Sequence, residues 1–236
     1  MNNYKYKEQS GRSMIEMLGV LAIIGVLSVG GIAGDSKAMN KFKTNKVADQ
    51  VSMLVANIKT MYAQQNTYEG LSNETAISLG VVPDELVVKT TKDKVTTTEL
   101  LNSFNGKVFI FASDSTGGGD NKAFTIEFNN LSKEACITLA TNDWGSGYSS
   151  GLIALRAAGK SADAATEKLK TVYIGNEGTP GRAETKAEGS NKGNDNDVIA
   201  TPGGQAGARV PLSVTSAAVA CGCSAGNTCS LQWKYY

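Results

Sequence analysis

Eighteen consecutive residues without a charge, 17–34 (MLGVLAIIGVLSVGGIAG), constrain this chain more than any other feature of it. Extended by Met14 and Ile15, the stretch approaches the ~20 residues that cross a bilayer as helix. A secretory signal has a shorter apolar region, about 7–15 residues, followed by a small-x-small cleavage site. Here the run is longer and a helical pattern continues beyond it, so a transmembrane helix over about 14–34 is expected. One residue does not suit a plain anchor. Glu16 stands just inside the apolar segment, where a carboxylate costs a few kcal/mol at the helix centre and less near the interface. Either it snorkels to the headgroups or it awaits a positive partner inside an assembled structure.

Beyond Gly34 the pattern becomes amphipathic. Val47, Val51, Leu54, Val55, Ile58, Met61 and Tyr62 recur at three- and four-residue steps, leaving Lys46, Asp49, Gln50, Asn57 and Lys59 on other faces. No proline occurs before Pro83. One helix over 13–65 would be roughly 80 Å long at 1.5 Å per residue. Its first half wants lipid or other helices, and its second half wants a domain packed on one face. Gly30, Gly31 and Gly34 weaken it locally, because each glycine costs about 1 kcal/mol relative to alanine. The spacing of Gly30 and Gly34 equally suits close packing of two helices.

The remainder reads as a compact α+β head. Ser72 starts a short helix that Gly80 ends. Lys107–Ala112 is apolar on both faces and is expected to be a central strand. In 123–128, Phe124, Ile126 and Phe128 alternate towards an inner face. The loop between them contains Gly117, Gly118 and Gly119 but no following Lys-Ser/Thr and no helix, so a hairpin loop is expected rather than a phosphate cradle. Ser132 caps a helix over 133–140 that turns Cys136, Leu139 and Ala140 inward. The segment 230–236 alternates again, burying Leu231, Trp233 and Tyr235. Between Trp144 and Ala220 the chain is rich in Gly, Ala, Ser, Asn and Thr, and 175–209 is expected to be loop. Asn194, Asp195, Asn196 and Asp197 invite a calcium reading, but an EF-hand's glycine and distal glutamate are absent.

Composition excludes several functions. The chain has no histidine, which removes Ser–His and Cys–His nucleophile pairs and His-ligated metals. A net charge of +1 supplies no global field for nucleic acid. Scattered Ser, Asp and Lys form no nucleophile–base spacing, so neither an enzyme nor a cofactor is expected. The four cysteines, Cys136, Cys221, Cys223 and Cys229, allow two disulfides in three connectivities and favour an oxidising compartment. A Cys-only metal site lacks its usual Cys-x-x-Cys pairs. Pairing Cys136 with Cys221 or Cys223 would hold the long loop region down, worth about 4–5 kcal/mol on a disputed chain-entropy account.

Gly11-Arg12-Ser13-Met14-Ile15-Glu16, followed by the apolar run, resembles the processing site of type IV prepilins. The resemblance covers 11–65 strongly, 70–140 and 221–236 less so, and scarcely touches 145–220. It implies a leader over 1–11, carrying Lys5 and Lys7 and cut after Gly11 by a prepilin peptidase that methylates the new N-terminus at Arg12. It makes Glu16 the fifth mature residue, able to neutralise the N-terminal amine of a neighbouring subunit. It also implies a long N-terminal helix over 12–66 packed on an antiparallel sheet, and a globular head over 67–236 with a variable region at about 145–220. Type IVb-like pilins bracket that region with a cysteine on a head helix and one near the C-terminus. The implied pairs are Cys136–Cys221 and Cys223–Cys229, with Cys221 and Cys223 able to exchange roles. Two departures stand out: Arg12 occupies a position that is usually apolar, and the apolar helix has no proline.

Topology must be weighed. Lys5, Lys7 and Arg12 precede the span, whereas Lys37, Lys41, Lys43 and Lys46 follow it, and a positive-inside count would leave the head in the cytoplasm. The cysteines and the prepilin-like site favour a periplasmic head, and long domains translocate largely regardless of flanking charge. The resemblance therefore implies a single-pass inner-membrane precursor and then a homopolymeric pilus subunit at the cell surface, with roles such as adhesion or conjugation. Its partners would be other subunits, lipid before assembly, the prepilin peptidase, an assembly ATPase and a membrane platform. A minor pilin, a secretion pseudopilin and an anchored binding protein that never polymerises are the alternatives.

Overall fold

The computed structural model describes residues 14–92, 94–116, 118–145, 150–160, 198–202, 209–223 and 229–236, with only the helical backbone described over 27–34. The chain divides into two compact units, Met1–Phe42 and Lys43–Tyr236. Helix α1, Met14–Met61, contributes to both. It stops where its last bonds tighten: Tyr62 donates to Ile58 O, but Ala63 donates to Thr60 O and Gln65 to Tyr62 O. Among the described residues no helix is long and apolar enough to cross a membrane. The last eight side chains of the expected span, 27–34, lie outside the described residues.

In the second unit, α1 supplies Val47, Val51, Leu54 and Ile58, all fully buried. Their three- and four-residue spacing places them on one face. They join a single apolar cluster with Phe124, Ile126, Phe128, Leu231 and Trp233. Each such side chain contributes about 1.5–3 kcal/mol on burial. On the same helix Lys46 pairs with Glu85 at 3.0 Å. Gln50 donates to that carboxylate at 2.7 Å. Together they tie the 3-10 turn Asp84–Leu86 to the helix.

Among the described residues the main sheet has five strands: β3 (Val108–Ser113), β4 (Ala123–Leu131), β7 (Cys229–Tyr235), β5 (Leu152–Ala158) and β6 (Val198–Ala200), in that spatial order. Every pairing is antiparallel. A separate hairpin, β1 (Val87–Lys92) with β2 (Val95–Leu100), precedes it. Helices α2 (Asn73–Ser78), α3 (Lys133–Thr141) and α4 (Val214–Ala220) each begin after a serine whose hydroxyl accepts from the backbone three residues on. Gly80 follows α2 with φ of +68°, a left-handed turn that glycine makes without steric cost.

Four expectations are corrected. Strand β3 lies at the edge of the sheet, not its centre. Its apolar composition is compatible with an edge because Asn73 covers its open side: Asn73 Nδ2 donates to Val108 O at 2.9 Å, and Ile110 N–H donates to Asn73 Oδ1 at 2.7 Å. Second, β4 and β7 bury both faces, not one; Thr125, Glu127, Ser230, Gln232 and Lys234 are as enclosed as the apolar residues between them. Third, the variable region expected at about 145–220 contributes a core strand that the sequence reading did not mark, since β5 lies directly beside β7 and is buried along its whole length. Fourth, β6 interrupts the region expected to be loop at 175–209.

The buried polar face is ordered by register. Glu127 lies opposite Gln232, and Gln232 lies opposite Arg156, so an acid and a base flank one amide across three strands. Gln232 Nε2 donates to Glu127 Oε2 at 2.8 Å. Ser113 and Thr125 hydroxyls pair at 2.7 Å on the same sheet. Buried charge is tolerated only when hydrogen-bonded or paired in this way.

Candidate functional site

Apart from Glu16, the side chains of 14–26 in the first unit are uncharged and exposed. Between residues 14 and 26, Met14, Ile15, Met17, Leu18, Val20, Leu21, Ile23, Ile24 and Val26 are 53–82 % exposed. Successive residues of a helix lie about 100° apart, so these positions surround its axis on every side. Added side-chain bulk at Gly19 or Gly25 would meet nothing within 4 Å. Met39 and Phe42 add further exposed apolar surface in this unit. Exposed apolar surface such as that over 14–26 marks an interaction site. Glu16 is exposed in the first turn of α1. A carboxylate there is favourably placed at the positive end of the helix dipole. Gly11 and Arg12 lie outside the described residues. Gly30 and Gly34 lie on the α1 backbone, and their surroundings are outside the described residues.

In the second unit the cysteines converge. Cys136 on α3 is bonded to Cys221 at the end of α4, across 85 residues. Cys223 is bonded to Cys229 at the start of β7, across 6 residues. All four sulfurs are held in disulfides, which leaves no thiolate for a metal. The long bridge fastens α3 and α4 to each other, and the short one ties the segment after α4 to the first residue of β7. Trp144 packs edge-on against Trp233 at 5.1 Å and donates its indole N–H to Leu139 O at 2.7 Å, closing this end of the core.

The glycine-bearing loop between β3 and β4 spends its own donors. Asp120 accepts from the Ser115 and Thr116 N–H groups and hydroxyls and from Lys122 N–H, at 2.6–3.1 Å. Asp114 accepts from Gly119 N–H and Asn121 N–H. The backbone amides of Ser115, Thr116, Gly119, Asn121 and Lys122 are thereby taken by the loop's own carboxylates. Burial pushes the Asp120 carboxyl upward. The Thr116 hydroxyl, the Lys122 and Ser115 N–H groups and the Ser115 hydroxyl outweigh it and hold the group far below the ordinary value of 3.8. The acidic stretch 194–197 lies outside the described residues.

A cleft of about 520 Å³ opens between α2, β2 and β3, floored by Leu100, Val108 and Phe109. Its rim carries Glu74, Lys89 and the Glu99–Lys107 pair at 3.4 Å. Both signs of charge are present and half of them are already paired, so the rim selects no ionic ligand.

The chain is 28 % identical over 135 residues to the toxin coregulated pilin of Vibrio cholerae, covering 57 % of this chain and 58 % of that protein. The same pilin from Vibrio cholerae serotype O1 (strain ATCC 39315 / El Tor Inaba N16961) is 27 % identical over 134 residues, with the same coverage. The chain thus spans 58 % of the length of these curated relatives. Among solved structures it is similar to a type IV b pilin from Salmonella typhi, with a TM-score of 0.44 and 17 % identity over 78 % of this chain and 93 % of that one. It is also similar to TcpA, a type IV pilin from Vibrio cholerae El Tor biotype, with a TM-score of 0.46 and 15 % identity over 82 % and 99 %. The family described as PilS N terminal matches residues 41–234, the head and its helix rather than the apolar segment before them. On that match, which covers most of its length, the chain belongs to the PilS family of type IV pilins.

Proposed function

We propose that the chain is a structural subunit of a type IV pilus-like filament, made as a membrane precursor and polymerised through its N-terminal helix. The observation that carries this reading is the exposed, all-round apolar segment 14–26 of α1 in a chain of the pilin family. A helix apolar on every side must be covered by lipid or by other helices. The precursor uses lipid, with the span over about 14–34 and the head on the periplasmic side. The polymer replaces that lipid with the same segment of neighbouring subunits, and Gly30 and Gly34 let two helices approach closely.

Processing supplies the charge that makes assembly selective. Removal of 1–11 after Gly11 by a prepilin peptidase frees the amine of Arg12, a cation at the edge of an apolar bundle. Glu16 of the adjoining subunit neutralises it. Two unit charges 4 Å apart attract by about 4 kcal/mol at an effective dielectric of 20. A subunit docked in the wrong register leaves both charges unpaired in apolar surroundings, so the pair sets axial register as well as adding attraction. An assembly ATPase and a membrane platform complete the machinery.

Glu16→Ala tests the pairing. The variant is expected to accumulate in membranes at the wild-type level while its yield in sheared surface material falls about tenfold or more, a loss of order 1.4 kcal/mol or greater per docking step. Filaments from the variant at wild-type yield would refute the role given to Glu16.

A further inference from the structure

We propose that the two disulfides form an exchange relay, in which an external dithiol attacks at Cys223 and the exchange passes through Cys229 to the buried Cys136–Cys221 bridge. The sulfurs of Cys136, Cys221 and Cys229 all lie within 4.8 Å of one another. Three of the four cysteines, Cys136, Cys221 and Cys229, have no exposed surface, whereas Cys223 is partly exposed. The short six-residue bridge therefore offers its Cys223 end to solvent and keeps its Cys229 end against the long bridge. Access and leaving-group identity decide which sulfur a thiolate attacks. Here access selects Cys223.

The step balances without net oxidation. A thiolate of the external reagent attacks Cys223 Sγ, the Cys223–Cys229 bond breaks, and Cys229 leaves as a thiolate while Cys223 carries the mixed disulfide. The Cys229 thiolate then attacks Cys136 Sγ, forming Cys136–Cys229 and expelling Cys221 as a thiolate. Attack on Cys221 Sγ instead forms Cys221–Cys229 and expels Cys136. Two disulfide bonds and one thiolate are present before and after each step. Reversal restores the starting pairs. The consequence is that a bridge across 85 residues, sealed in the core, remains open to correction by a dithiol-bearing partner that touches only the surface. A Cys136–Cys229 bond made in error during folding can be converted along the same path. This inference does not depend on the filament reading.

Mass mapping of the full chain, purified in detergent and exposed to limiting reduced glutathione at mildly alkaline pH, tests the relay. Samples are quenched in acid, alkylated and digested under acidic conditions. The relay predicts molecules with glutathione on Cys223, an alkylated Cys221 or Cys136, and Cys229 in a disulfide with the remaining partner. Glutathione on Cys223 accompanied only by alkylated Cys229 would overturn it. A second arm uses Cys223→Ala/Cys229→Ala, checked for wild-type circular dichroism. Its Cys136–Cys221 bridge is expected to be reduced by dithiothreitol about tenfold more slowly than in wild type, because direct attack on a buried sulfur replaces the relay. An equal or faster rate in that variant would contradict the proposal.

Discussion

Gly106 shows how little room single residues of the head have. Asn102, itself buried, accepts from Phe104 N–H and Gly106 N–H and donates to Asn129 O at 2.7 Å, drawing the 102–106 turn onto β4. A side-chain carbon on Gly106 would overlap that same Asn129 carbonyl. The obstacle is backbone, which cannot swing away as a flexible side chain can. Gly106→Ala is expected to cost about 3 kcal/mol in urea unfolding, the upper range for overpacking. A cost below about 0.5 kcal/mol, ordinary for a surface substitution, would show the contact to be relaxed. Asp120 acts through charge. Its carboxyl titrates below the unfolded value, so its stabilisation is present above the ordinary 3.8 and is lost as pH falls through the folded value. The stability difference between wild type and Asp120→Asn should therefore persist from pH 7 to about pH 4 and shrink below it. A difference that stays constant into acid would remove the carboxylate's role.

At the scale of elements, the sheet owes its open edge to one amide. Asn73 is the first residue of α2, yet its side chain bonds one of the open-edge backbone groups at each of Val108 and Ile110 that a sixth strand would otherwise take. Leu71 O extends the cover by accepting from Ala112 N–H at 3.2 Å. Edge strands without such protection invite pairing with other chains. Asn73→Ala leaves two backbone groups seeking partners and should cost about 1–3 kcal/mol. It should also speed hydrogen exchange at Ile110 while leaving Ile126 on β4 protected; equal effects at both would point to global loosening instead. The same strand explains a limit of sequence reading. An apolar run on both faces reads as central because burial on two faces is the usual cause, and a distant asparagine covering an edge leaves no local trace. Strand β5 escaped for the opposite reason. Leu152–Ala158 is short, rich in alanine and holds Arg156, so neither period nor propensity marks it as a strand. Arg156 becomes a core residue through its register with Gln232 on the neighbouring strand, which in turn faces Glu127 one strand further on. By contrast, α2, α3 and the strands at Phe124 and Trp233 were legible, because serine caps and alternating aromatics are written within a few residues of each other.

At the scale of the whole molecule, two unrelated bodies of information meet. The resemblance to prepilins rests most on 11–65, whereas the family match covers 41–234 and begins after the apolar run. The head is therefore assigned to the family independently of Gly11, Arg12 and Glu16. The apolar segment was legible from composition alone, since eighteen uncharged residues need cover of some kind. What covers them is not written in their periodicity, because a helix apolar on all sides presents the same face to lipid and to its own copies. In the proposed reading the segment 1–11 carries the decision, because a cut after Gly11 would free an amine that Glu16 of a second subunit could pair with in apolar surroundings. Mass spectrometry of the mature N-terminus, on protein from membranes and from sheared surface material, tests this most directly. The account predicts an abundant sheared form that begins at N-methylated Arg12. A chain that still begins at Met1 and stays in the membrane fraction would contradict it.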